Sequence, residues 1–276
     1  MTSASTDRPT HDPDDDHPSL ELLRSVGQPV AHMARYNAEH WAGTLYLRHL
    51  SIRVTRWLLP THLSANGVTW LMIVVGLVGA YLALLPGVVG PVLVVVAMQL
   101  QILLDCSDGE VARWRQRFSP AGIYLDRVGH YLTEGSLPIA LGLRADGYDL
   151  AHPLEVGGWT VLGLVVAVVV LLNKTFTDLV HVSRAKTGRP MLDDVAATAR
   201  SKVSGLARVR RLLGYLPIFR AFVAVEFSLL LLVAGIVDAV RGDLGGTHVL
   251  LLVLVPLAFI TALGHLLAVL TSSRLD

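Results

Sequence analysis

The chain has 276 residues, 53% of them hydrophobic and only 16% charged, with a net charge of +1. A soluble domain carries roughly 25% charged residues, so the composition excludes an ordinary soluble enzyme and points to a polytopic membrane protein. The one cysteine, Cys106, excludes an intrachain disulfide and any cysteine-rich metal site.

Residues 1–30 are polar and read as a disordered cytoplasmic tail. The run His11-Asp12-Pro13-Asp14-Asp15-Asp16-His17 could chelate a metal weakly, but a solvated acidic run is the simpler reading. The stretch lacks the short apolar core that a cleavable signal peptide needs. A single membrane domain is expected over 31–276.

Residues 32–58 mix Arg35, Arg48, Arg53 and Arg56 with Trp41, Leu45, Tyr46, Ile52 and Trp57. Basic and aromatic residues at helical spacing predict a helix lying in the membrane interface. Six apolar segments follow, near 67–85, 91–108, 121–143, 157–173, 221–237 and 248–270. Each approaches the ~20 residues that a spanning helix needs. The expected fold class is therefore all-α, a polytopic membrane protein with six transmembrane helices and an N-terminal interfacial helix.

Basic residues set the expected orientation. Six arginines precede Asn66, three stand at 113, 115 and 117, ten Lys/Arg lie from Lys174 to Arg220, and Arg274 is last. Only Arg144 and Arg241 fall on the other side, with Arg127 inside a span. Both termini are expected in the cytoplasm, and the location expected is the plasma (inner) membrane of a bacterium.

The second and third segments hold the ionisable residues. The chain reads Asp105-Cys106-Ser107-Asp108-Gly109-Glu110-Val111-Ala112-Arg113, then Gly122, Asp126 and His130. A charge at the bilayer centre costs about 2.5–3.5 kcal/mol on insertion scales, so several together require compensation. Asp105 and Asp108 are three apart and share a helix face. Gly122, Asp126, His130 and Glu134 are each four apart and form one stripe on the next helix. A short basic hairpin joins the two, so an antiparallel pair would bring three carboxylates and an imidazole together as a one- or two-metal site. Gly109 and Ala112 leave room for a ligand, and Arg113 could pair with phosphate.

The pattern Asp105-x2-Asp108-Gly109-x2-Ala112-Arg113-x8-Gly122-x3-Asp126-x3-His130 resembles the signature of the CDP-alcohol phosphatidyltransferase family, D-x2-D-G-x2-A-R-x8-G-x3-D-x3-D. Seven of the eight fixed positions match with every spacing intact. Asn66 and Thr69 also resemble the family's Thr-Pro-Asn-x-x-Thr lead into the first spanning helix, with Ala65 in place of proline. The resemblance implies transfer of a phospho-alcohol from a CDP-alcohol to an acceptor hydroxyl, with release of CMP and with Mg²⁺ or Mn²⁺ as cofactor. It implies that Asp105, Asp108 and Asp126 bind metal. Gly109, Ala112, Arg113, Asn66, Thr69 and Gly122 would shape the nucleotide pocket. His130 stands where the family has the carboxylate proposed as general base. An imidazole can take that proton, since its unperturbed pKa is about 6.5, or it can mark an inactive relative.

The implied partners are a CDP-alcohol donor such as CDP-diacylglycerol, a small or phosphorylated alcohol acceptor, membrane lipids and a second copy of the chain as a homodimer. No nucleic-acid partner is expected. An EF-hand is excluded, because the loop lacks alternating oxygen ligands and the glutamate at position twelve. A membrane transporter is the alternative from a different class, because intramembrane carboxylates can carry ions. It would predict paired repeats or broken helices, which the sequence does not show. Glu134 reads either as an orienting partner of His130 or as a bundle-interior residue. Gln99 and Gln101 read as pocket-lining or as helix–helix hydrogen-bonding residues, and Lys174 with Asp178 as an exposed ion pair. The basic run from Arg184 to Arg211 reads as positive-inside charge, or as a site for an acceptor phosphate or an anionic lipid.

Overall fold

The computed structural model describes residues 11–29, 42–148, 156–190, 220–272, 274 and 275. The first part of the expected interfacial helix (32–41) and most of the basic run (191–211) lie outside the described residues. Among the described residues the structure is helical, without strands. The helices are α1 (Leu20–Gly27), α2 (Arg48–Leu58), α3 (Ala65–Tyr81), α4 (Val89–Trp114), α5 (Pro120–Ala145), α6 (Gly158–Lys186), α7 (Ala224–Arg241) and α8 (Gly245–Leu270). Among the described residues, four stretches, Ala65–Leu84, Val89–Trp114, Gly158–Lys186 and Gly245–Leu270, are long and apolar enough to cross a membrane. Helices α5 and α7 are long as well, but α5 carries Asp126, Arg127, Glu134 and Arg144, and α7 carries Glu226, Asp238 and Arg241.

The chain forms two compact units, one of residues 1–74 and 100–129, the other of 75–99 and 130–276. In the first, Ser19 opens α1 by accepting the Leu22 N–H at 3.2 Å, the usual way a serine satisfies an orphan donor of the first turn. Helix α2 is amphipathic. It buries Ser51, Ile52 and Thr55, while Trp57 stays 77% exposed, as suits an interfacial aromatic. Leu23, Ile52, Leu59 and Trp114 form this unit's small core.

Local sequence also sets where the site helices start and stop. Ser64 Oγ accepts the Gly67 N–H at 3.1 Å to start α3. Gln116 takes a left-handed φ of 51°, and the Arg117 N–H returns to the Ala112 carbonyl at 3.0 Å, which ends α4. Ser119 then accepts the Gly122 N–H at 3.1 Å, with Pro120 at the first helical position, where its missing N–H does no harm.

The segment read as a solvated tail is different from that expectation over 11–28. Trp114 Nε1 donates to the Asp15 carbonyl at 2.9 Å, and Arg115 donates to the Pro13 carbonyl at 3.0 Å and to the Asp16 carboxylate. Two of these bonds end on backbone carbonyls rather than on acidic side chains, so composition alone did not reveal them.

In the second unit, Leu137 and Leu141 of α5, Val166 and Val170 of α6, Phe227 and Leu231 of α7 and Leu251 and Leu254 of α8 build one core. Helices α5 and α6 meet through glycines. A Cβ on Gly163 would lie 2.4 Å from the Pro138 carbonyl oxygen, and one on Gly142 2.7 Å from that of Trp159. Only small residues let two backbones approach that closely. Buried Arg144 donates to the carbonyls of Ala83 (2.9 Å), Leu85 (3.2 Å) and Gly87 (2.9 Å) and pairs with Asp238 at 3.6 Å. Asp146, just past α5, accepts the Thr160 N–H at 2.7 Å and its hydroxyl at 2.6 Å, which caps α6 from eleven residues upstream of its N-cap, Gly157.

Candidate active site

The first unit holds a cleft of about 460 Å³ between the N-terminal turns of α3 and α5 and the C-terminal half of α4. Asn66 and Thr69 line it from α3, Asp108, Gly109, Ala112 and Arg113 from α4, and Gly122 and Asp126 from α5. Eight of the ten residues singled out in the sequence therefore converge on one cavity. Asp105 and His130 are not among its lining residues, but Asp105 and Asp126 each offer a carboxylate oxygen, and these lie within 4.8 Å of one another. His130 is one turn beyond Asp126 on α5 and belongs to the second unit.

Each position has a local reason. The Thr69 hydroxyl donates to Asp108 Oδ2 at 2.6 Å, which fixes the carboxylate's rotamer. At Gly109 a Cβ would meet the Arg113 guanidinium at 3.1 Å, so the glycine lets Arg113 fold back over its own helix one turn earlier. The Arg113 Nε donates to the Gly27 carbonyl at 2.6 Å, which anchors the guanidinium at the cleft wall. A Cβ at Gly122 would come within 3.0 Å of Asn66 Oδ1, so this glycine sets the close approach of α5 to α3.

The donor set suits a hard divalent cation. Asp105 and Asp126 bring oxygens close enough to share one ion, and Asp108 adds a third carboxylate at the same helix junction. Oxygen ligands of this kind are the ones Mg²⁺ and Mn²⁺ take.

Sequence reasoning missed Glu110. It is wholly buried and lies about 200° round the helix from Asp108 at 3.6 residues per turn, away from the cleft. Its Oε1 accepts Gln28 Nε2 at 2.7 Å and the Ser51 hydroxyl at 2.6 Å, and its Oε2 accepts the Thr55 hydroxyl at 2.6 Å. The only available signal was its being an acid outside the Asp105–Asp108 face. A second cavity, of about 280 Å³, shares Asn66, Ala112 and Arg117 with the cleft and adds Asp14, His62 and Arg115. The Arg115 guanidinium, hydrogen-bonded to Asp16, holds that carboxyl below its ordinary range.

Residues 62–271 match the family model described as CDP-alcohol phosphatidyltransferase. The chain belongs to this family. Its members move a phospho-alcohol from a CDP-alcohol onto an acceptor hydroxyl with the help of a divalent metal. With four helices long and apolar enough to cross a membrane among its described residues, the chain is an integral membrane protein of a transferase family. No curated protein matches it. The family match begins at His62, so Gln28 at the end of α1 and Ser51 and Thr55 of α2, the donors to Glu110, stand upstream of it.

Other sequence expectations resolve differently. Gln101 is 2% exposed and stands apart from the cleft lining; its Nε2 has no hydrogen-bond partner among the described residues. Lys174 and Asp178 are not an exposed pair. The Lys174 side chain is 24% exposed and its Nζ lies 2.8 Å from Glu134 Oε2, while Asp178 accepts the Tyr131 hydroxyl. Arg184 is buried and donates to the carbonyls of Pro190 and Arg274, each at 2.9 Å.

Proposed function

We propose that this protein transfers a phosphatidyl or related phospho-alcohol group from a CDP-alcohol, CDP-diacylglycerol above all, to the hydroxyl of a small or phosphorylated alcohol, with release of CMP. The observation that carries the reading is the cleft itself, whose wall is made of the residues that the signature pattern singles out. Asp105, Asp108 and Asp126 hold Mg²⁺ or Mn²⁺, which neutralises pyrophosphate charge when bound. Gly109, Ala112 and Gly122 leave room for the nucleotide, with Asn66 and Thr69 at its edge. Arg113 offers a planar guanidinium to phosphate oxygens. His130, in the register where the family has a carboxylate, accepts the proton of the attacking hydroxyl.

The proposal includes six spanning helices, with α5 and α7 completing the four apolar ones, and one membrane domain over 31–276. It also includes cytoplasmic termini, the inner membrane of a bacterium and a homodimer. Charge asymmetry supports the orientation, and family resemblance supports the dimer.

The test is CMP release by the purified protein in detergent with Mn²⁺ or Mg²⁺, CDP-diacylglycerol and a panel of acceptors covering inositol phosphate, glycerol phosphate and serine. Turnover that His130→Ala abolishes is the expected result. CDP binding without CMP release above the His130→Ala level would instead support a nucleotide-binding relative without activity, and absence of CDP binding would favour a transporter.

A further inference from the structure

His130 has a neighbourhood that an aspartate there would not suit. Glu134 follows it by one turn of α5, and Glu134 Oε1 lies 3.9 Å from His130 Nδ1. The other carboxylate oxygen is taken by Lys174 of α6, with Nζ 2.8 Å from Oε2. The Glu134 side chain is 7% exposed, and that of His130 32%. One buried carboxylate thus stands between a lysine and an imidazole. Lys174 is itself held in place, since its Nζ lies 5.8 Å from the centre of the Tyr131 ring and the Tyr131 hydroxyl donates to Asp178, one turn along α6 from Lys174.

Charge explains why this set goes with histidine. A carboxylate at position 130 would face Glu134 with like charge, whereas an imidazole offers it an N–H. A carboxylate beside one ring nitrogen sets the tautomer and leaves the other nitrogen as the acceptor. Such contacts are commonly long before substrate binds and tighten afterwards.

We propose that Lys174 and Glu134 are positioning residues for His130. Lys174 fixes Glu134, and Glu134 turns the Nδ1 edge of the imidazole towards itself, so that Nε2 is presented to the acceptor hydroxyl. This rests on the reading of His130 as the base.

The experiment is steady-state CMP release by the full-length protein in detergent with Mn²⁺, CDP-diacylglycerol and whichever acceptor of the panel above turns over fastest. Lys174→Met and Glu134→Gln are each expected to lower kcat about tenfold, with KM for CDP-diacylglycerol and CDP binding unchanged, as for an outer partner of a reacting group. The double variant falls no further than either single one, because the two act as a unit. Lys174→Arg recovers most of the rate. In a His130→Asp background, Lys174→Met lowers kcat no further. Additive losses, equal losses in both backgrounds, or a rise in KM with kcat unchanged would overturn the positioning role. If Lys174→Met does not fold, Glu134→Gln, which keeps the side chain's shape, decides alone. A native protein that releases no CMP fails as an enzyme altogether, whereas native turnover indifferent to both substitutions defeats only the pair's role.

Discussion

The Thr55 hydroxyl of α2 donates to the Glu110 carboxylate of α4 at 2.6 Å, 55 residues away in sequence. Ser51 and Gln28 complete the set on the same carboxylate, and Glu110 itself is not among the cleft-lining residues. Glu110 therefore ties α2 and the residue after α1 to the signature helix α4.

Removing Glu110 leaves buried donors without an acceptor, and each unsatisfied donor costs about 1–3 kcal/mol. Glu110→Leu is expected to destabilise by about 3 kcal/mol, and adding Ser51→Ala and Thr55→Val should recover much of the loss, because removing both sides of a buried hydrogen bond can be nearly neutral. Thermal unfolding in detergent reads both. A Glu110→Leu protein as stable as the native one would contradict the network's role.

Thr69 holds Asp108 in place at 2.6 Å. Thr69→Val keeps the shape and removes the donor, so apparent Mn²⁺ affinity is expected to fall about tenfold, the lower end for loss of a ligand's hydrogen-bond partner. A Mn²⁺ titration followed by electron paramagnetic resonance measures it. Unchanged affinity would mean that Asp108 needs no such support.

Arg144 gathers three carbonyls and Asp238 in a buried setting. Arg144→Met should cost about 3–5 kcal/mol, the range for leaving one buried charge without its partner. Arg144→Lys should be only partly better, because a lysine lacks the planar fork that reaches several acceptors. The melting temperatures of the two variants rank these expectations, and Lys equal to Arg would refute the geometric argument.

Asp146 caps α6 through Thr160 and Trp159. Partial burial pushes its pKa up, but the hydrogen bonds from Thr160 and Trp159 outweigh it, and the carboxyl ends below its ordinary value. A depressed folded-state pKa stabilises above the unfolded value, about 3.9, and the gain is lost as pH falls through the folded one. Asp146→Ala should cost about 1 kcal/mol at neutral pH, with the gap to the native protein closing below about pH 4. A gap that stays constant down to pH 3 would rule out the charged cap.

The features legible in the sequence are those set by short-range geometry. Helical repeat puts Asp105 with Asp108 and Asp126 with His130, and a short hairpin obliges neighbouring helices to face each other, so the cleft could be read from spacing. Apolar length likewise marked the four helices that are long and apolar enough to cross a membrane. Which distant groups meet is set by the packing of the helices. Glu110 draws its donors from residues 28, 51 and 55, Glu134 finds Lys174 on the next helix, and the acidic N-terminal run docks through its backbone on Trp114 and Arg115. The physical reason is that a buried charge in an apolar chain must be matched somewhere. Composition announces that need, but the partner is chosen by how the helices pack.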